Sequence, residues 1–144
     1  MAVIPVDTAA MEWIPLEPGV SFKPIAFLPG DRRQLLLRLE PGTVVARHRH
    51  HGEVHAFNVA GRREILGTDV RLGPHAYLHE PAGNVDSWMA VGDEPCVVHI
   101  AITGAMEYLD DAGAVISSDD TASLQRCYLD WCAAHGVTPH PALS

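Results

Sequence analysis

Residues Gly42 to Gly61 read GTVVARHRHHGEVHAFNVAG and hold four histidines, His48, His50, His51 and His55, within eight positions. Successive side chains on a β-strand point to opposite faces, so His48 and His50, at i and i+2, project from the same face and can share one cation. A neutral imidazole is the commonest nitrogen ligand for first-row metals. Gly42 stands six residues before His48, and Gly61 closes the apolar run that begins at Val54, so the histidines lie on an extended stretch between two turn signals. On a regular strand His51 and His55 point away from the HxH pair.

The rest of the chain fits an all-β fold around this hairpin. Gln34 to Pro41, QLLLRLEP, reads as a buried strand, and Arg62 to Leu66 reads as another. Short strands at regular spacing, with Gly and Pro between them, indicate a barrel or sandwich. Residues 1–34 carry five prolines and are expected to form an arm of short extended pieces joined by turns. The expected organisation is one domain, with that arm, a barrel over 35–117, and a helix over about 119–135. The helix is capped among Ser118, Asp119 and Asp120, presents Leu124, Tyr128, Leu129, Trp131 and Cys132 as an apolar stripe, and ends at Gly136. The tail HPALS has little to pack and is expected to be disordered.

Composition narrows the function. A chain of 144 residues buries enough surface to fold without staples. Its three cysteines, Cys96, Cys127 and Cys132, have no CxxC spacing and suit free thiols in a reducing cytoplasm. With 18 acidic and 10 basic residues the formal charge is −8, which disfavours nucleic acid and anionic membranes as partners. The stretch MAVIPVDTAAMEW lacks a basic n-region and no apolar run approaches membrane-spanning length, so neither a signal peptide nor a membrane span is expected. A small-molecule substrate remains the expected partner.

The hairpin resembles the first motif of the cupin superfamily, G(x)5HxH(x)3–4E(x)6G, with Gly42, His48, His50 and Gly61 in register and Val54 at the glutamate position. Valine cannot bind metal. Glu53 is one residue away and would reach the same side only if a turn at His51-Gly52 altered the alternation. The second cupin motif contains PxGxxH; here Pro81, Ala82 and Gly83 match and Asp86 stands at the histidine. His48, His50 and Asp86 would form a two-histidine, one-carboxylate set of the kind associated with non-haem iron(II). His79, just before the Pro-Ala-Gly turn, and His99, in the buried-strand pattern CVVHIAI, compete for the third position.

Over most of 13–136 the chain is similar to small single-domain cupins related to 2,4'-dihydroxyacetophenone dioxygenase and acetylacetone dioxygenase, and to the cupin domain of zinc-dependent anti-sigma factors. The resemblance implies a cupin-type double-stranded β-helix, or jelly-roll barrel, with the C-terminal helix packed outside. It implies a divalent cation, iron(II) first and zinc or nickel as alternatives, and cleavage of a carbon–carbon bond in a β-diketone or α-hydroxyketone by dioxygen. His48, His50 and Asp86 would be the ligands, Glu53, His79 and His99 would handle protons or orient groups, and Trp88 would wall an apolar pocket. A homodimer or higher homo-oligomer is the family expectation. The alternatives are a non-catalytic metal- or ligand-binding cupin and a metal-dependent isomerase or hydrolase.

Overall fold

The computed structural model describes residues 3–144. Twelve strands follow in order: β1 (Ile14–Glu17), β2 (Val20–Leu28), β3 (Arg32–Leu39), β4 (Val44–His50), β5 (Val54–Ala60), β6 (Arg62–Ile65), β7 (Arg71–Leu72), β8 (Tyr77–Glu80), β9 (Val85–Val91), β10 (Cys96–Thr103), β11 (Met106–Leu109) and β12 (Val115–Asp119). They form two six-stranded sheets, β1-β2-β3-β10-β5-β8 and β12-β11-β4-β9-β6-β7, and every pairing is antiparallel. Consecutive strands repeatedly cross from one sheet to the other, which is the jelly-roll pattern. Among the described residues, no helix is long and apolar enough to cross a membrane.

Alternation along each strand builds the core between the sheets. In β10, Cys96, Val98, Ile100 and Ile102 are buried, whereas Val97, His99 and Ala101 face outward and are half-buried. In β5, Val54, Ala56 and Asn58 face in, and His55, Phe57 and Val59 face out. Asn58 is tolerated inside because its amide donates to the Leu72 carbonyl and its Oδ1 accepts from Arg63 Nε. The turn from β5 to β6 needs Gly61: its φ is +71°, and a Cβ there would lie 2.2 Å from the Pro95 carbonyl oxygen.

Two expectations about the chain ends change. From Ile14 onward the proline-rich segment 1–34 is integral to the first sheet, since β1 and β2 bury Ile14, Val20 and Phe22 in the core. Pro24 fits within β2 where the register with β3 shifts between Pro24 and Ala26, the place in a ladder that tolerates a missing donor. The tail is also ordered. Pro141–Leu143 forms a short 3₁₀ turn, Leu143 is fully buried, and Gln125 Nε2 donates to its carbonyl.

The C-terminal helix, α1 (Thr121–His135), matches its expected limits closely. Asp120 caps it by accepting from the Ser123 N–H while the Ser123 hydroxyl accepts from the Asp120 N–H, and Gly136 ends it at φ +65°. Tyr128 and Cys132 are buried, and the helix lies against β2. Its first turn is tied to the sheet by Asp31, which accepts from the Thr121 N–H, and by buried Arg33, whose Nη1 donates to the Thr121 hydroxyl and the Gly104 carbonyl.

Candidate metal centre

His48 and His50 both face the interior and are 3% and 4% exposed. A bulge positions them: inward-facing Val45 and His48 are separated by two outward residues, where the register of β4 with β9 shifts. The His48 Nδ1–H donates to the Ala46 carbonyl at 2.7 Å, which directs Nε2 inward. The Pro81-Ala82-Gly83 turn holds the far end of β4, because the Gly83 N–H donates to the His50 carbonyl and the His50 N–H donates to the Asn84 carbonyl. The two motif segments thus clamp each other through the backbone.

Asp86 lies opposite His48 in the β4–β9 ladder, and its Oδ1 is 3.1 Å from His48 Nε2. The approach is off the line of a directed hydrogen bond, so Asp86 Oδ1 is buried without a hydrogen-bond partner, as is His50 Nδ1. The edge-on rings of His48 and His50 are 4.8 Å apart. Glu80, on the inward side of β8, completes the cluster; its Oε1 accepts from Asn84 Nδ2 at 2.8 Å. A cavity of about 50 Å³, bounded by His48, His50, Val54, Arg63, Glu80 and Trp88, offers space for an ion rather than an organic molecule.

Electrostatics in this cluster follow from burial and proximity. Burial, followed by the neighbouring His48 charge, lowers the His50 pKa to about 4, so its imidazole is neutral and able to ligate. Burial also lowers the His48 pKa, but the Asp86 carboxylate and the Ala46 carbonyl outweigh it and hold the value above the ordinary one. Burial and then Asp86 raise Glu80 to about 7. Asp86 feels the same burial, yet the adjacent His48 imidazole, and after it Glu80, hold it below its usual range. A carboxylate facing an imidazole whose other nitrogen is already a donor calls for a proton or a cation between them. Of the three buried side-chain atoms without a partner, His50 Nδ1, Asp86 Oδ1 and Arg63 Nη2, the first two belong to this set; two imidazoles and a carboxylate fit a first-row divalent ion, and those two orphaned atoms are the observation that supports that fit.

Three residues expected beside this centre lie elsewhere. Glu53, His79 and His99 all belong to the outer surface of the first sheet, so the expectation that they handle protons at His48 and His50 is corrected. The reason is strand parity: inward Val54 puts its neighbour Glu53 outward, Glu80 facing in puts its neighbour His79 out, and His99 alternates with buried Val98 and Ile100. His99 Nε2 contacts Gln34 Oε1 at 3.1 Å. His51 is exposed and pairs with Glu107, and His55 is exposed, as the alternation predicts. Among the described residues, the trio whose donor atoms all lie within 4.8 Å of one another is exterior: Glu53, His55 and His79. The interior donors are spread more widely.

Glu80, which the sequence offers only as an outer-shell acceptor beside His79, is an interior group; the proline that follows fixes no face. Sequence reading missed Arg63, which is 2% exposed, bonds Asn58, and lies 4.8 Å over the Trp88 ring. Trp88 lines the small cavity as expected. A larger cavity of about 500 Å³ adjoins it through the shared wall of Ile102 and Met106. Both sheets and the helix contribute to that space, with Arg33, Leu35, Tyr108 and Leu124 among its walls. The Tyr108 ring is 6.1 Å from that of His48.

A family model described as the ChrR cupin-like domain matches residues 1–107, and the chain belongs to that cupin family. An RmlC-like cupin protein from Ralstonia eutropha JMP134 is 25% identical, with 96% of this chain and 91% of that one covered and a TM-score of 0.88. An acetylacetone dioxygenase from Acinetobacter johnsonii is 19% identical over 90% of this chain and 93% of its own, with a TM-score of 0.81. The Rhodobacter sphaeroides complex of SigE with the anti-sigma ChrR matches at 19% identity over 67% of this chain and 50% of that chain, with a TM-score of 0.58. At the last two identities the likeness is one of fold. No curated protein sequence matches the chain significantly.

Proposed function

We propose that this cupin is a metal-dependent dioxygenase that cleaves a carbon–carbon bond of a β-diketone or α-hydroxyketone, with His48, His50 and Asp86 holding a mononuclear iron(II). The observation carrying this reading is the pair of orphaned buried atoms, His50 Nδ1 and Asp86 Oδ1, in a cluster whose cavity adjoins one of about 500 Å³. The fold shared with an acetylacetone dioxygenase supports it.

A cation bound there would polarise the substrate oxygens and, as iron(II), bring reactivity toward dioxygen. This chain's own residues do the remainder. Leu35, Ile102, Met106 and Leu124 line the larger cavity and keep water from the carbon chain. Arg33, on the same wall, draws an anionic enolate inward. Glu80, raised to about 7, populates both its acid and its carboxylate forms near neutral pH and can accept or return a proton beside Asp86.

The test is oxygen uptake by iron-loaded protein over a panel of β-diketones and α-hydroxyketones, with His48→Ala/His50→Ala as control. Substrate-dependent uptake that vanishes in the control is the expected result, together with loss of interior metal and an unchanged far-UV spectrum. Turnover without uptake would replace the reading with a metal-dependent isomerase or hydrolase. Tight zinc with no turnover would replace it with a binding cupin, a reading that the match to the ChrR cupin-like domain also favours.

A further inference from the structure

The outer face of the first sheet carries a second constellation that the dioxygenase reading does not use. His55 and His79 are directly opposed in the β5–β8 ladder, and their rings are 5.0 Å apart, tilted by 35°. Glu53, in the turn just before β5, reaches both: His79 Nε2 lies 3.0 Å from its Oε2 and His55 Nε2 lies 3.4 Å from its Oε1. One nitrogen from each histidine therefore converges on a single carboxylate. The other ring nitrogen of His55 is bonded to the Tyr77 hydroxyl, and those two rings stack at 6.0 Å.

We propose that Glu53, His55 and His79 form a second, exterior binding site for a borderline divalent cation of the zinc, copper or nickel class. Two imidazoles and one carboxylate select these ions over magnesium and calcium, which prefer all-oxygen sets. Tyr77 supplies the orienting contact that a ligating histidine needs. Its hydroxyl can accept from the His55 Nδ1–H, which leaves the Nε2 lone pair for the ion. Without a cation, the Nε2–H tautomers donate to Glu53; on binding, each neutral imidazole carries its proton at Nδ1 instead, which frees the Nε2 lone pair for the ion and turns the Tyr77 hydroxyl from donor to acceptor at His55. The carboxylate is ready for either role, because hydrogen bonds from His79 and then His55 hold Glu53 below the usual carboxylate range. Three protein ligands on an exposed face leave coordination positions open to water. The site also ties β8, the last strand of its sheet, to β5.

This proposal does not depend on the interior centre, and the experiment keeps the two apart. Untagged full-length protein, stripped with chelator and dialysed, is titrated with zinc chloride by calorimetry, and bound metal is counted by mass spectrometry. His48→Ala/His50→Ala protein is expected to retain one equivalent of zinc per chain. Adding His55→Ala/His79→Ala should take that to zero, and Tyr77→Phe should weaken the remaining site about tenfold. Glu53→Gln gives a second disruption with minimal change of shape, and far-UV spectra establish that each variant is folded. The proposal is overturned if the His48→Ala/His50→Ala protein binds no zinc, or if its zinc survives removal of His55 and His79.

Discussion

Replacing Glu80 with glutamine in chelated protein tests the electrostatics of the interior cluster without reference to catalysis. Glu80 is 7% exposed, and its carboxyl is raised from an ordinary 4.5 to about 7, so the folded state retains a proton that the unfolded chain releases above 4.5. Stability attributable to this group is therefore present at acid pH and is lost as pH rises from the unfolded value through the folded one. The span from 4.5 to about 7 sets a ceiling of about 3 kcal/mol, at 1.36 kcal/mol per pH unit. Relaxation of Asp86 and entry of water reduce this to roughly 1–3 kcal/mol. Glutamine mimics the protonated acid: its oxygen still accepts from Asn84 Nδ2, and its NH₂ can donate to Asp86. Thermal melts in chelator should show Glu80→Gln and wild type within about 1 °C at pH 4, below the unfolded value, with the variant higher by roughly 3–10 °C at pH 8. An offset equal at both pH values would refute the reasoning, since it would place the effect in packing rather than titration. Adding metal should narrow the gap at pH 8, because a cation offsets the buried carboxylate charge.

Other perturbations probe the scaffold. Gly61→Ala forces a Cβ toward the Pro95 carbonyl from a left-handed backbone; a loss of at least about 2 kcal/mol is expected in urea unfolding, with the slope unchanged. Leu143→Ala empties a fully buried position under the tail and should cost about 2–4 kcal/mol, whereas a disordered tail would give no change.

The parts of this fold written in local chemistry were legible before the structure. The HxH pair is one: two residues apart on a strand, His48 and His50 had to share a face, and they do. Helix α1 is another, since Asp120 and Gly136 carry its two ends in their own side-chain and backbone preferences. Asp86 was found because the Pro-Ala-Gly turn set its register. What escaped depends on knowing which way a short strand faces. The four residues of β8 alternate half-buried or exposed positions with buried Glu80, and nothing local tells His79 from Glu80 as the inward one. Only the pairing of His55 with His79 decides it. The burial of Arg33 was equally hidden, because its partners lie far away in sequence: Arg33 reaches Thr121 and Gly104. The tail misled for the same reason, since Leu143 finds its pocket only once α1 has folded back on β2.

The adjacency of His79 and Glu80 on β8 has a consequence for how this chain tolerates change. One peptide unit delivers an imidazole to solvent and a carboxylic acid to the interior, so the two surfaces can be varied by substitution independently of each other. Length is different. Inserting or deleting a single residue between Gly73 and Pro81 would turn β8 over, exporting the acid and importing the imidazole in one step. Homologous chains that differ in length here are thus expected to differ in the chemistry of both faces at once, while those of equal length can diverge on one face alone.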